Sequence, residues 1–120
     1  MRLYIGGAYQ GKREYVHRET GLWAKACTAQ EALHAEAIDA FHEIIRELCA
    51  KGESTESYVR RLLAENPDAV ILCNEVGMGV IPMDGDERQW RAEVGRSLCA
   101  LAREAKAVVR ITCGIGVKIK

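Results

Sequence analysis

The chain has 120 residues, of which 48% are hydrophobic and 28% charged, a composition typical of globular domains and unlike that of disordered chains. Its 17 basic and 17 acidic side chains give a formal net charge of zero, so no global field draws it to nucleic acid or to an anionic membrane. This length predicts a single domain over residues 1–120.

The apolar runs are shorter than the roughly 20 residues that a membrane span needs, and no secretory signal pattern precedes the first predicted strand. We therefore expect a cytoplasmic protein without nucleic-acid or membrane partners. The five cysteines form no C-x-x-C pair, so we expect reduced, mostly buried thiols rather than a zinc site. They are Cys27, Cys49, Cys73, Cys99 and Cys113.

The first predicted strand covers about residues 2–5 and leads into a glycine-rich loop. The string Gly6-Gly7-Ala8-Tyr9-Gln10-Gly11-Lys12 fits the phosphate-binding pattern G-x-x-x-x-G-K. The backbone N–H groups of such a loop surround a phosphate, while the lysine and the N-terminus of the next helix add positive charge. The sequence therefore predicts an anion-binding cradle in which Lys12 contacts phosphate, the alternative being a surface lysine beside a tight turn.

Arg13 stands where this pattern has Ser or Thr. The hydroxyl at that position normally binds Mg²⁺, and a guanidinium cannot ligate a metal, which argues against the usual metal-assisted phosphoryl transfer. Two alternatives remain for Arg13. It is either a solvent-facing helix residue or a bidentate partner of a phosphate that partly replaces the metal.

After the loop we expect a short helix from about Gly11, then irregular structure over residues 18–30 that Trp23 anchors to the core. Apolar residues at three- and four-residue steps predict a helix over residues 31–51, which Gly52 ends. A second helix begins near Ser54 and stops before Pro67. Its first turn can be capped by Ser54 together with Ser57, or by Thr55.

The run over residues 69–73 is continuously apolar, as in a strand buried on both faces of a parallel sheet. A long helix is expected over about residues 87–105 and a further strand over residues 107–112. This alternation predicts an α/β fold, a parallel sheet flanked by helices. The segment after residue 73 follows the carboxyl end of a strand, where such sheets bind ligands.

Three motifs together resemble a known family. They are the loop over residues 6–12, the stretch Asn74-Glu75-Val76-Gly77-Met78-Gly79-Val80-Ile81-Pro82, and the end Gly114-Ile115-Gly116-Val117-Lys118-Ile119-Lys120. They resemble the bifunctional adenosylcobinamide kinase and adenosylcobinamide-phosphate guanylyltransferase family of cobalamin biosynthesis, over about half of the chain. The resemblance implies a P-loop NTPase-like fold, here truncated, and a nucleoside triphosphate, ATP or GTP, bound with Mg²⁺. It also implies two reactions: phosphorylation of the cobinamide hydroxyl, then GMP transfer through a guanylylated histidine.

The resemblance implies nucleotide contacts from Gly6, Gly7, Ala8, Tyr9, Gln10, Gly11, Lys12 and Arg13. Glu75 is a candidate for holding Mg²⁺ or for accepting a proton, the alternative being an exposed loop carboxylate. Asp39 is the other metal candidate. A weaker similarity to the family, which has an acidic residue at the end of a strand, implies that residues 36–39 form a short strand rather than part of a helix. Of the three histidines, His42 is the best candidate for a catalytic role; the alternative is a purely structural role.

This chain departs from the family in further ways. Leu98 and Cys99 replace an asparagine and a glutamine that follow Gly-Arg in the long helix, and a segment of several tens of residues after the loop is absent. In full-length members that segment carries the guanylylated histidine and much of the corrinoid site. We therefore expect kinase activity rather than guanylyl transfer. Two hypotheses compete with this one. The chain is either a nucleotide-binding or assembly protein without catalytic activity, or a remnant of the fold that binds no ligand. We further expect a corrinoid as the acceptor and a homo-oligomer as the assembly.

Overall fold

A six-stranded sheet forms the centre of the molecule, in a computed structural model that describes residues 1–76 and 84–120. The strands are β1 (Arg2–Gly6), β2 (Lys25–Ala26), β3 (Ala37–Asp39), β4 (Val70–Asn74), β5 (Ala107–Thr112) and β6 (Ile115–Lys118). Their order is β2-β3-β4-β1-β5-β6. Neighbours pair in parallel except β6, which runs antiparallel to β5. The predicted α/β fold with a parallel sheet is confirmed.

Helices cover both faces of the sheet. They are α1 (Lys12–Thr20), α2 (Ala29–Ala32), α3 (Phe41–Ala50), α4 (Thr55–Glu65) and α5 (Gly85–Glu104). Because side chains alternate along a strand, Leu3 packs in the apolar cluster with α3, α4 and α5, whereas Tyr4 packs on the opposite face with Val16 of α1. The central strands β1 and β4 are therefore buried on both sides.

The predicted helix over residues 31–51 is wrong, and the alternative with a short strand is confirmed. Thr28 and Glu31 form a reciprocal capping box that starts α2, a helix of one turn. Strand β3 follows, with Ile38 opposite Ile71 of β4 and fully buried. Ala40 then takes a positive φ of 52° and α3 begins at the next residue. Sheet pairing of Ile38 overrides a spacing that also suits a continuous helix.

Residues 18–30 are more regular than the sequence suggests. Helix α1 continues to Thr20, and Lys25–Ala26 pairs with β3 as the edge strand β2. Trp23 does not anchor this stretch in the core: it is 52% exposed and its ring stacks on that of His17 with 3.9 Å between the centroids.

The remaining predicted elements are confirmed with small shifts of their ends. Ser54 caps α4 by accepting a hydrogen bond from the N–H of Ser57, and Asn66 after this helix donates to the carbonyls of Ala32 and Ala35 at 2.9 and 2.8 Å. Strand β6 was not predicted. It forms a hairpin with β5 through Cys113 and Gly114, whose φ angles are 52° and 75°.

The expectation of mostly buried thiols is wrong for two of the cysteines. Cys73 is buried, while Cys99 and Cys113 are exposed, and none of the five takes part in a disulfide. Among the helices of the described residues, none is long and apolar enough to cross a membrane.

Candidate functional site

The glycine-rich loop lies in the middle of one edge of the sheet. It connects the carboxyl end of β1 to α1, and β1 lies between β4 and β5. The carboxyl ends of all the parallel strands meet at this edge, which is where open α/β sheets bind ligands. The loop, the end of β3 and the residues after β4 are thereby brought together.

Gly6 holds the start of the loop close to the sheet. A Cβ at this position would collide with the carbonyl oxygen of Ile111 in β5, and the Gly6 oxygen accepts a hydrogen bond from the N–H of Glu75 at 2.9 Å. The close approach of backbone on both sides explains why a glycine stands here.

Gln10 fastens the loop to the hairpin between β5 and β6. Its carbonyl oxygen accepts from the N–H of Gly114 at 2.8 Å, and its side-chain Oε1 accepts from the N–H of Cys113 at 2.6 Å. Gly11 has a φ of 82° and also packs on Gly114. Sequence reasoning missed the contact of Gln10 with Cys113 because these residues are 103 positions apart. The glycines after the last predicted strand were an available signal for a turn there.

Lys12 is the first residue of α1 and is only 8% exposed. Its Nζ donates to the carbonyl oxygen of Gly7 at 2.7 Å. Burial lowers the pKa of the ammonium, while the neighbouring Asp39, Cys73 and Glu75 raise it. The alternative of a surface lysine is wrong, because this ammonium is enclosed by the loop and by the ends of two strands.

Asp39 lies at the end of β3, not in a helix. Its Oδ1 accepts from the N–H of Ala40 at 2.8 Å, and its Oδ2 lies 3.6 Å from Nε of Arg13. Arg13 is in the first turn of α1 with 55% of its side chain exposed. Arg13 is thus both solvent-accessible and paired with the carboxylate that the sequence named as a metal candidate.

Glu75 follows β4 and is paired in the same way. Its Oε2 lies 3.3 Å from Nη2 of Arg110, and 20% of its side chain is exposed. Arg110 lies in β5, opposite Ile5 of β1. Sequence reasoning did not name Arg110, although a charged residue inside the apolar run of residues 108–111 was an available signal.

His42 connects three elements behind the loop. Its Nδ1 accepts from the N–H of Asn74 at 3.2 Å, and its carbonyl oxygen accepts from Nε1 of Trp90 at 2.8 Å. Burial lowers the pKa of the imidazole, so a neutral ring with its proton on Nε2 fits these contacts. His42 therefore holds the end of β4 beside the loop, and a catalytic role for it stays a prediction.

The described residues do not fit a divalent cation as they are arranged. Mg²⁺ takes oxygen ligands in octahedral geometry, whereas Arg13 replaces the expected hydroxyl, and Asp39 and Glu75 each pair with an arginine. Within residues 1–76 and 84–120, no group of three or more His, Cys, Asp or Glu side chains could hold a metal ion. Residues 77–83, which include much of the middle motif, lie outside the described residues; their sequence contains no acidic residue, His or Cys.

Comparison with known proteins identifies a family and relatives to which this chain is similar. The family model "cobinamide kinase / cobinamide phosphate guanyltransferase" matches residues 19–119. Two curated relatives, the bifunctional adenosylcobalamin biosynthesis proteins CobU of Escherichia coli strain K12 and of Salmonella typhimurium, are each 45% identical over 51 residues, which is 42% of this chain. The chain covers 28% of the length of each relative. The family match begins after the loop, so the assignment of the loop depends on its own motif and geometry. Because the match spans most of the sequence, the chain belongs to the cobinamide kinase / cobinamide phosphate guanyltransferase family.

Proposed function

We propose that this chain binds a nucleoside triphosphate in the loop over residues 6–12 and acts as a nucleotide-dependent transferase of cobalamin biosynthesis. The reaction we propose is phosphorylation of adenosylcobinamide, a corrinoid acceptor, rather than guanylyl transfer. One observation carries this proposal most directly. Lys12 is buried at the N-terminus of α1, with its ammonium inside a glycine loop at the carboxyl edge of the sheet.

Several groups of the site support this proposal of phosphoryl transfer. Loop N–H groups and Lys12 would bind the β- and γ-phosphates and stabilise the negative charge that spreads over the γ-phosphoryl group. The acceptor hydroxyl oxygen would bond to the γ-phosphorus as the bond to the β-phosphate oxygen breaks, leaving a nucleoside diphosphate. Glu75 is the nearby carboxylate that we propose accepts the hydroxyl proton, and its pairing with Arg110 would orient it.

The position of His42 favours the kinase reaction over guanylyl transfer. A nucleophilic imidazole needs an accessible nitrogen lone pair, whereas only 11% of the His42 side chain is exposed and its Nδ1 already accepts a backbone hydrogen bond. His17 stacks on Trp23, and His34 is exposed at the end of the short helix α2. No histidine of the chain is both accessible and adjacent to the loop in the part that the structure describes.

A second candidate is a nucleotide-binding protein without catalysis. The observation that favours it is the Arg13–Asp39 pair, which occupies the place where the loop pattern and its acidic partner would otherwise hold a metal ion. Such a protein would bind a triphosphate without transferring its phosphate.

Two measurements separate these candidates. Calorimetric titration with ATP and with GTP tests binding, and transfer of the γ-phosphate to adenosylcobinamide tests catalysis. We expect both to be lost in Lys12→Ala and retained in Lys106→Ala, which changes an exposed lysine at the opposite edge of the sheet. Binding without transfer would favour the second candidate. Absence of binding to the unaltered chain would reject both and favour a fold remnant, and equal transfer by Lys12→Ala would reject this use of the loop.

We also propose that the chain forms a homo-oligomer. Ile115, Val117 and Ile119 are large apolar residues that are each more than half exposed, and they follow one another at alternate positions along the edge strand β6 and its end. An exposed apolar edge strand tends to pair with another chain. This observation supports self-association through β6.

A further inference from the structure

Two arginines face the two carboxylates that would otherwise be available to a metal ion. Arg13 of α1 pairs with Asp39 at the end of β3, and Arg110 of β5 pairs with Glu75 after β4. Both pairs lie at the edge that carries the phosphate loop. We propose, on the basis of the triphosphate site described above, that Arg13 takes the place of the divalent cation, so that the chain binds the metal-free triphosphate directly.

The position of Arg13 suits this role. It follows Lys12 in the first turn of α1, where the helix N-terminus favours an anion. A guanidinium presents five N–H donors in a planar fork that matches a phosphate. Within the described residues, Asp39 is the charged partner of Arg13, with its Oδ2 3.6 Å from Nε of the guanidinium. Asp39 therefore orients the guanidinium of Arg13, and because 55% of the Arg13 side chain is exposed, the guanidinium remains accessible to phosphate oxygens.

The charges around the loop also fit a metal-free anion. The positive groups are Lys12, Arg13 and Arg110; Asp39 and Glu75 pair with two of them, and Glu14 lies exposed in the same first turn of α1. His42 and Cys73 add no charge near neutral pH, because burial lowers the pKa of the imidazole and raises that of the thiol to about 12. A metal-free triphosphate is more negative than its magnesium complex, so it gains more from direct contact with Lys12 and Arg13.

Asp39 separates this proposal from a metal site. If Asp39 were a metal ligand, Asp39→Asn would weaken triphosphate binding and reduce its dependence on Mg²⁺. If Asp39 only orients Arg13, asparagine still offers an Oδ1 that accepts from the guanidinium, and Asp39→Asn removes only a negative charge from near the phosphates. The two models therefore predict changes of opposite sign in triphosphate affinity.

The experiment is calorimetric titration of the full chain with ATP and GTP, in Mg²⁺ and in excess EDTA. The variants are Arg13→Ser, Arg13→Lys and Asp39→Asn, with Arg60→Ser as the control for loss of an exposed, paired arginine on α4. We expect the unaltered chain to bind within about twofold in the two conditions. In EDTA, Arg13→Ser should bind roughly tenfold or more weakly, because a charge-assisted hydrogen bond is lost. The triphosphate affinity of Arg13→Lys should lie between those of Arg13→Ser and the unaltered chain. Asp39→Asn should bind as tightly as the unaltered chain or more tightly. Arg60→Ser should not change affinity.

The opposite results would overturn the proposal. Binding that strengthens about tenfold or more in Mg²⁺, or that weakens in Asp39→Asn in Mg²⁺ but not in EDTA, would show a metal site and would leave the proposed triphosphate binding intact. Binding in EDTA that is unaffected by Arg13→Ser would show that Arg13 does not contact the phosphates. Absence of binding in every condition would reject the triphosphate site itself. Thermal unfolding of each variant, compared with the unaltered chain, confirms that a loss of binding does not come from unfolding.

Discussion

The ammonium of Lys12 lies 2.7 Å from the carbonyl oxygen of Gly7, inside the loop to which both residues belong. The lysine is almost fully buried, and burial lowers its pKa. A buried ammonium with a neutral acceptor is incompletely compensated for its lost hydration. Among the described residues, the hydrogen-bond acceptor of this ammonium is a neutral carbonyl, and a phosphate that enters the loop would supply a stronger, charged one.

Lys12→Met should separate binding from stability. Methionine keeps the apolar length of the side chain but removes the charge, so triphosphate affinity should fall by about tenfold or more. The free energy of unfolding should stay the same or rise, because a partly desolvated charge is removed. Calorimetry and urea unfolding measure the two quantities, and Lys106→Met is the matched control. A large loss of stability would mean that Lys12 is mainly structural.

Gly6→Ala and Gly95→Ala should have opposite effects on stability. The added Cβ at Gly6 meets the carbonyl oxygen of Ile111, so the backbone must move at a cost of about 1–3 kcal/mol. Gly95 lies inside α5 with no atom within 4 Å of the added Cβ, so alanine there should stabilise the helix by about 0.5–1 kcal/mol. Thermal or urea unfolding of both variants tests this. Equal effects would contradict the close contact at Gly6.

Gln10→Leu should loosen the contact between the loop and the β5–β6 hairpin. Leucine has a similar size but no acceptor for the N–H of Cys113, so hydrogen exchange of that amide should accelerate and triphosphate affinity should fall. Gln10→Glu separates the two effects, because its carboxylate still accepts from Cys113 while its charge repels phosphate. Retained amide protection with weaker binding is expected for Gln10→Glu. Unchanged exchange in Gln10→Leu would show that the backbone bond to Gly114 is sufficient.

His42 should make stability depend on pH. Burial lowers its folded pKa below the ordinary value of about 6.5, so the unfolded chain binds the proton more readily than the folded one. The contribution of neutral His42 to the free energy of unfolding is therefore complete above about pH 6.5, and it is lost as the pH falls toward and through the folded pKa. Nearby Glu43 and Asp39 reduce this shift, while Lys12 and Arg46 add to it.

The test is urea unfolding at about pH 7.5 and about pH 5.5, comparing the unaltered chain with His42→Asn. Asparagine cannot titrate in this range, yet its Oδ1 can still accept from the N–H of Asn74. The variant should therefore lose less stability on acidification than the unaltered chain. His34→Asn, at an exposed position, is the control and should behave like the unaltered chain. Identical pH dependence in all three proteins would exclude His42 as the group responsible.

Val117→Lys should weaken the proposed self-association. Val117 is 63% exposed on the edge strand β6, where an added charge opposes pairing with another chain. Light scattering should show a smaller mass for Val117→Lys than for the unaltered chain at the same concentration. A monomeric unaltered chain would refute the homo-oligomer, and an unchanged oligomer in Val117→Lys would place the interface elsewhere.

The amino-acid sequence by itself determined the features that depend on local patterns. The glycine spacing of residues 6–12 identified the loop, the continuous apolar run before Asn74 identified a strand buried on both faces, and the Ser54 cap identified the start of α4. Family membership was also predicted from the sequence motifs, and the family model that matches residues 19–119 confirms it. In each of these cases the signal lies within a few neighbouring residues.

Only the tertiary structure decided which distant residues meet. Ile38 lies in a strand because β4 pairs with it, although its own spacing suits a helix equally well. The pairing of Arg13 with Asp39 and of Glu75 with Arg110, and the attachment of Gln10 to Cys113, join residues that are far apart along the chain. Such contacts depend on the order of strands in the sheet, which brings their ends to one edge. Local sequence patterns do not specify that order, and for this reason the charge arrangement around the loop became visible only in the folded chain.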